Sequence, residues 1–466
     1  MIGSTLTTRR GFLVQGAAAA GGLALPSLIP GSALGLDGTA APSERIRVGL
    51  IGCGNHGVYW NLAQIFRCPE VVVAAVCDVD SNHLAEGKKV VDGHYAPIYG
   101  NAYKPCEPYG DFRKLVLRDD LDAVANCTPD HWHIIPAIMA ARCGKDVICE
   151  KPLTLFIDEG KALVKAIHDN QRIFQTASEN RSIETYIRLV ELVRGGVIGK
   201  LTHIEVKLPV GNNEMRLGPQ YRETFNQRDA VPVPKELDYD MWLGQAPDLP
   251  YVPARVHGAF RWNLAFSGGV ITDWGAHMID LAQWGHDTER TGPVEVEGKG
   301  DFPPREAIFN TAATFSARYK YADGVTLNLS TEEPFIRFEG TDGWIECKGW
   351  RGTLKASRRE MLDVKVDPDK VNLYRPSEIV GRTEGKGGEH RNFYDCVKSR
   401  QPTYAPAEIG HRTISIAHIG NIAMLLGRKL RWNPDEEHFV DDADANAMLS
   451  RQQREPWTLA NIDKWI

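Results

Sequence analysis

The chain has 466 residues, of which 43% are hydrophobic and 24% charged, with a net charge of −6. That length calls for two or three domains and supplies chain for a large core. No basic run is present, so nothing points to nucleic acid; nine cysteines without a C-x-x-C pair exclude a disulfide framework and a zinc ribbon.

The N-terminus carries Thr8-Arg9-Arg10-Gly11-Phe12-Leu13, followed by no charge until Asp37. A paired arginine before a weakly apolar segment resembles a twin-arginine export signal. Residues 1–41 are therefore expected to be export signal and linker, with small-residue cleavage regions at Ser32–Gly35 and Thr39–Ala41. Glycines, Pro26 and Pro30 make the stretch a poor membrane span. The mature protein is expected to be periplasmic or secreted, with no stable membrane span.

Arg45 to Ile51 reads as a buried strand and runs into Gly52, Gly54 and Gly57, the spacing G-x-G-x-x-G. Gly52 permits the tight turn, Gly54 lets the backbone approach a pyrophosphate, and Gly57 lets the next helix, Val58 to Phe66, pack on the strand. Asn55 and His56 lie inside the loop, where phosphates would meet a helix N-terminus. A second apolar run, Val71 to Cys77, ends in Asp78, where a ribose-binding acid is expected. Its carboxylate would repel a 2′-phosphate, and no arginine follows, so NAD is favoured over NADP.

A helix is expected over Ser81–Val91, a loop over 92–110, a short helix at Asp111–Leu117 and a strand at Asp122–Cys127. That strand ends in Thr128-Pro129-Asp130-His131-Trp132-His133. Open α/β sheets bind ligands at the carboxyl ends of their strands. Thr128 and Pro129 are thus cofactor candidates; His131 and His133 either join them or pack beneath the loop. A helix over 134–143 and a strand at Asp146–Cys149 lead to Glu150-Lys151-Pro152.

Together these motifs resemble the Gfo/Idh/MocA oxidoreductase family over nearly all the chain after residue 45. The resemblance implies an α/β protein: an N-terminal Rossmann doubly wound parallel sheet (42–153), then an α/β domain (154–432) with a large open, mostly antiparallel sheet. It implies a homo-oligomer, dimer or tetramer, and an NAD-dependent dehydrogenase of sugars or polyols. Glu150 and Lys151 would then contact the cofactor. Lys151 could also hydrogen-bond the reacting hydroxyl. In family members the loop 175–182 lies along the cleft, which makes Asn180 a cofactor candidate and Arg181 a substrate candidate.

Helices at 157–170 and 183–195 and strands at 173–176 and 200–208 follow. Residues 209–266 form a long insertion rich in aromatics, prolines and arginines. Its Arg255, His257 and Trp262 suit a polyhydroxylated ligand. Asp273-Trp274-Gly275-Ala276-His277 opens a helix, with Trp274 a further substrate candidate. Asp273 and His277, four apart, share a helix face. The carboxylate is expected to orient the imidazole and raise its pKa towards neutrality, giving a general base. Runs of period two from Val294 to Lys348 read as an antiparallel meander. Helices near 388–399 and 408–427 close the domain, and 433–466 is expected to be a tail packing on the surface. No metal-ligand spacing is convincing, and none is expected to be bound.

Two alternatives stand beside an exported NAD-dependent sugar dehydrogenase. One is glycoside cleavage by transient oxidation and elimination, as some family relatives perform; the histidine neighbourhood here differs from that branch. The other is a non-catalytic sugar-binding protein, against which Lys151 and His277 count.

Overall fold

The computed structural model describes residues 44–213, 222–374 and 388–466. The expected export signal and residues 214–221 of the insertion lie outside them. From Ile46 onward the chain forms one compact unit.

Strands β1 (Ile46–Ile51), β2 (Val71–Cys77), β3 (Glu107–Tyr109), β4 (Ala123–Asn126), β5 (Asp146–Cys149) and β6 (Phe174–Thr176) form a parallel sheet in the order β3-β2-β1-β4-β5-β6. β1, β2, β4 and β5 are nearly continuous apolar runs because helices cover both faces of the sheet. β6 lies beyond residue 153, so the boundary expected there falls short of this sheet.

The helix expected over 81–91 continues to Tyr99, within the stretch expected to be a loop. Pro97 sits in its last turn and gives up one N–H bond to the turn before it. Burial of Val91 and Tyr95 extends it; the Tyr95 hydroxyl donates to Val71 O at 3.1 Å. Glu107–Tyr109, expected to be loop, is an edge strand.

The second sheet has nine strands. β7 (Leu201–Leu208), β8 (Glu295–Asp301), β9 (Thr314–Lys320), β10 (Thr326–Thr331), β11 (Phe335–Gly340), β12 (Gly343–Lys348), β13 (Leu354–Ala356), β14 (Leu430–Asn433) and β15 (His438–Phe439) are ordered β13-β12-β11-β7-β10-β9-β8-β14-β15. It is mostly antiparallel but not the expected meander: β7 inserts between β10 and β11 and pairs in parallel with β10. Alternation is clear in β9, whose Phe315, Ala317 and Tyr319 are buried while their neighbours are exposed. Helices Gly275–His286 and Ala407–Leu426 pack on the apolar face, with Gly285 against Phe338 and Gly420 against Tyr319.

The C-terminal stretch is more than a surface tail. It supplies strand β15 and buries Leu449, Trp457 and Ile462. Trp457 packs edge-on against Trp132 of the first domain, centroids 5.6 Å apart. The insertion also docks on the first domain: Ser81 N–H donates to Glu236 O and Asp238 N–H to Val79 O, both at 2.9 Å.

Candidate functional site

A cleft of about 400 Å³ runs along the carboxyl ends of the parallel strands. Gly52, Gly54, Asn55, His56, Gly57, Asp78, Thr128, Pro129, Glu150, Lys151, His257, Asp273, Trp274 and His277 all line it. At its nucleotide end Gly52 has φ +93°, a conformation that favours glycine, and a Cβ there would stand 2.5 Å from Cys127 O. A Cβ on Gly57 would collide with Gly52 O. The next helix begins with a π turn, in which Leu62 N–H reaches back to Gly57 O.

The Asp78 carboxylate helps to shape this loop. Its Oδ2 accepts Cys53 N–H at 2.7 Å and its Oδ1 accepts Asp80 N–H at 2.8 Å. Each oxygen keeps a lone pair for a ribose hydroxyl. Burial raises its pKa, while His83 and the two N–H groups favour the anion. Asp78→Ala is expected to weaken NAD binding by about 10–10²-fold, the worth of hydrogen bonds to a charged group, and to narrow the preference over NADP. Titration with both nucleotides checks this; a parental protein that prefers NADP refutes the role.

Deeper in, Lys151 leaves β5 across the cis Lys151–Pro152 bond. Its Nζ donates to Asp273 Oδ1 at 2.7 Å and to Asp273 O at 3.3 Å. Arg261 Nε lies 3.5 Å from the same carboxylate oxygen. Burial pushes Asp273 up, but Lys151 and Arg261 hold it well below the usual carboxylate range. The carboxylate expected to orient His277 is thus bound to Lys151. The expected rise in the His277 pKa is also corrected: burial, then the Lys151 charge, holds it well below the ordinary histidine value against the pull of Asp273. His277 is a neutral imidazole at neutral pH. Its Nδ1 is buried with no partner among the described residues, and Trp350 meets its ring edge-on at 5.1 Å.

Glu150 faces the glycine loop. Its Oε1 accepts from Asn61 Nδ2 at 2.9 Å and lies 2.9 Å from His56 Nε2, and Asn61 Oδ1 in turn lies 2.9 Å from His390 Nε2. Burial would raise Glu150, but His56 and Asn61 outweigh it and hold the anion.

Six candidates stand away from the cleft. His133 is buried between Pro152 O (Nδ1, 2.7 Å) and Thr128 O (Nε2, 2.9 Å), and orients the loop from beneath. His131 packs likewise, 2.9 Å from Trp242 O. Asn180 donates to His277 O at 3.4 Å, a contact behind the helix. Arg181 is neutralised by Asp280, at 2.8 and 2.7 Å, and by Glu289. Arg255 donates to Pro250 O at 2.8 Å inside the insertion. Trp262 is fully buried. The sequence pattern shows that such side chains are anchors but not which way they face.

Other groups enter the cleft unforeseen. Asp130, 3% exposed, is pushed up to about 7 by burial, against Arg261 and a Ser267 hydrogen bond. Glu389 is pushed up to about 8 by burial and then by Glu179. Asp130 stood inside the strand-end motif; Glu389 and Trp350 come from distant segments with no local signal.

A parallel sheet with a glycine loop at its switch point, joined to a second domain whose helix Gly275–His286 brings a histidine to the same cleft, defines a two-domain NAD-binding protein. The chain belongs to the Gfo/Idh/MocA oxidoreductase family. Residues 46–178 match its NAD-binding Rossmann fold and residues 187–459 its C-terminal alpha/beta domain. A glycosyl hydrolase family 109 protein of Saccharopolyspora erythraea is 31% identical over 160 residues, 34% of this chain and 34% of the relative. The chain thus spans about a third of the length of that relative. An aldose-aldose oxidoreductase of Caulobacter crescentus, complexed with glycerol, superposes with a TM-score of 0.59 at 16% identity, covering 83% of this chain and 99% of the other. A WlbA dehydrogenase of Bordetella pertussis, in complex with NADH and UDP-GlcNAcA, gives 0.58 at 15% identity over 84% and 99%. At such identities the likeness is one of fold. Among the described residues no helix is long and apolar enough to cross a membrane.

Proposed function

We propose that the protein transfers hydride between nicotinamide and a carbinol carbon of a sugar, polyol or sugar derivative. The observation that carries this is the buried Lys151–Asp273 pair beside a neutral His277, at the end of the NAD cleft. The glycine loop, Asp78, Thr128 and Pro129 would hold NAD, which supplies the hydride acceptor when bound. Lys151 Nζ, fixed by Asp273, donates to the substrate oxygen. The His277 imidazole accepts the hydroxyl proton, a step its neutral form permits. Trp274 and Trp350, packed edge-on at 4.9 Å, offer apolar faces to a sugar ring.

The glycosyl hydrolase names of the relatives favour a second reading, glycoside cleavage with no net redox change. The Arg9-Arg10 motif supports export to the periplasm or beyond. The family resemblance implies a homo-oligomer, dimer or tetramer. Outside the cytoplasm no pool of free NAD is expected, so the cofactor would be loaded before export and retained. Nanomolar retention corresponds to about 12 kcal/mol.

Protein purified without added cofactor and then denatured is expected to release near-stoichiometric NAD(H). Protein that comes out empty and needs millimolar NAD refutes retention. Sugars screened at the NADH absorbance, alongside aryl glycosides screened for a released aryl group, separate the two reactions. Silence in both refutes the enzymatic reading.

A further inference from the structure

Three ligating side chains meet where the insertion docks on the Rossmann domain. Asp80 caps the helix Ser81–Tyr99, its Oδ1 accepting the N–H groups of Asn82 and His83 at 2.8 and 3.2 Å. Its other oxygen, Oδ2, lies 3.7 Å from His257 Nε2. The His83 and His257 rings are 4.8 Å apart at 69°. One ligating atom from each residue lies within 4.8 Å of the other two.

His257 arrives from far along the chain and adopts φ +50°, an uncommon conformation for a residue with a Cβ. Such conformations persist where the surroundings over-determine them, and they cluster at ligand clamps. Here the surroundings are the pairing of Asp80 with Leu237 and the neighbouring backbone bonds between Ser81 and Glu236 and between Asp238 and Val79. Capping uses one oxygen of Asp80 and leaves the other facing His257.

We propose that Asp80, His83 and His257 form a binding site for one divalent transition-metal ion, with Zn²⁺ the best match to two imidazoles and a carboxylate. Tetrahedral ligands at the usual zinc distances lie about 3.4 Å apart. Side-chain adjustments of about an ångström would close the three atoms onto an ion. His83 and His257 both line the cleft, so the fourth position opens into it beside Asp78; His83 Nδ1 is 4.0 Å from Asp78 Oδ2. The ion would pin the insertion, and with it the Phe260 and Arg261 wall of the cleft, to the nucleotide-binding domain. The site owes nothing to the reaction proposed above.

The test uses the full chain, stripped with a chelator and titrated with Zn²⁺ alone by calorimetry. One tight Zn²⁺ per chain is expected, with the thermal midpoint rising as Zn²⁺ is added. Asp80→Asn, which keeps a capping side chain, and His83→Gln are each expected to bind at least about tenfold more weakly. Co²⁺ in place of Zn²⁺ should give the intense visible absorption of a four-coordinate site. Equal Zn²⁺ affinity in the parental protein and both folded variants, or a Co²⁺ spectrum of the hydrated ion alone, overturns the proposal. Circular dichroism of the metal-free variants separates a lost ligand from a lost fold.

Discussion

Replacing Lys151 or His277 by alanine should each lower turnover by about 10²–10⁴, the range for removing a positioned acid or base. That is about 3–5 kcal/mol of transition-state free energy. NAD binding should survive, because the Gly52 turn and the Asp78 carboxylate are held by contacts that involve neither side chain. Lys151→Ala leaves Asp273 with Arg261 Nε 3.5 Å away, so the carboxylate is not stranded. Lys151→Arg should not restore turnover: a planar fork does not place one donor where Nζ stands. The signature is a fall in kcat with KM for substrate little changed. Near-parental turnover of either alanine variant ends the assignment of that residue.

What could be read in advance divides along physical lines. The glycine loop was legible because its chemistry is local: a turn at φ +93° favours glycine whatever surrounds it. The strands of the first sheet were legible because burial on both faces demands apolar runs, and those of the second because one buried face imposes alternation. The entry of β7 between β10 and β11 left no trace, since pairing partners are chosen across the fold. The same limit governs the site. Asp273 and His277 announced themselves by spacing, but spacing could not reveal that Lys151, from another domain, would take the carboxylate. Arg181 had the composition of a cleft residue until Asp280 and Glu289 enclosed it. His83 and His257 carried no spacing signal because the insertion supplies one and a helix start the other.

Asp273→Ala should destabilise the protein by about 3–5 kcal/mol, the usual cost of leaving one partner of a buried pair behind. Asp273 is 8% exposed, and the Lys151 side chain is 14% exposed. Without the carboxylate, the Lys151 charge sits beside an imidazole that cannot compensate it. Replacing both partners, as in the Lys151→Met/Asp273→Leu double variant, should recover most of that loss, because the desolvation of both charges disappears with them. Turnover should not recover, since the donor to the substrate oxygen is gone. The pH dependence has a definite sign. Asp273 has a depressed pKa in the folded protein, so its contribution is fully present above the usual carboxylate value of 3.8 and is lost as pH falls below it. The stability gap between parental protein and Asp273→Ala should therefore be flat near neutrality and shrink only below about pH 4. Denaturant midpoints of the four proteins, parental, Lys151→Met, Asp273→Leu and the double, close the cycle, with Asp273→Ala measured beside them. A double variant no more stable than Asp273→Ala would mean that the site depends on its charges for shape, and that the Lys151–Asp273 pair is structural before it is chemical.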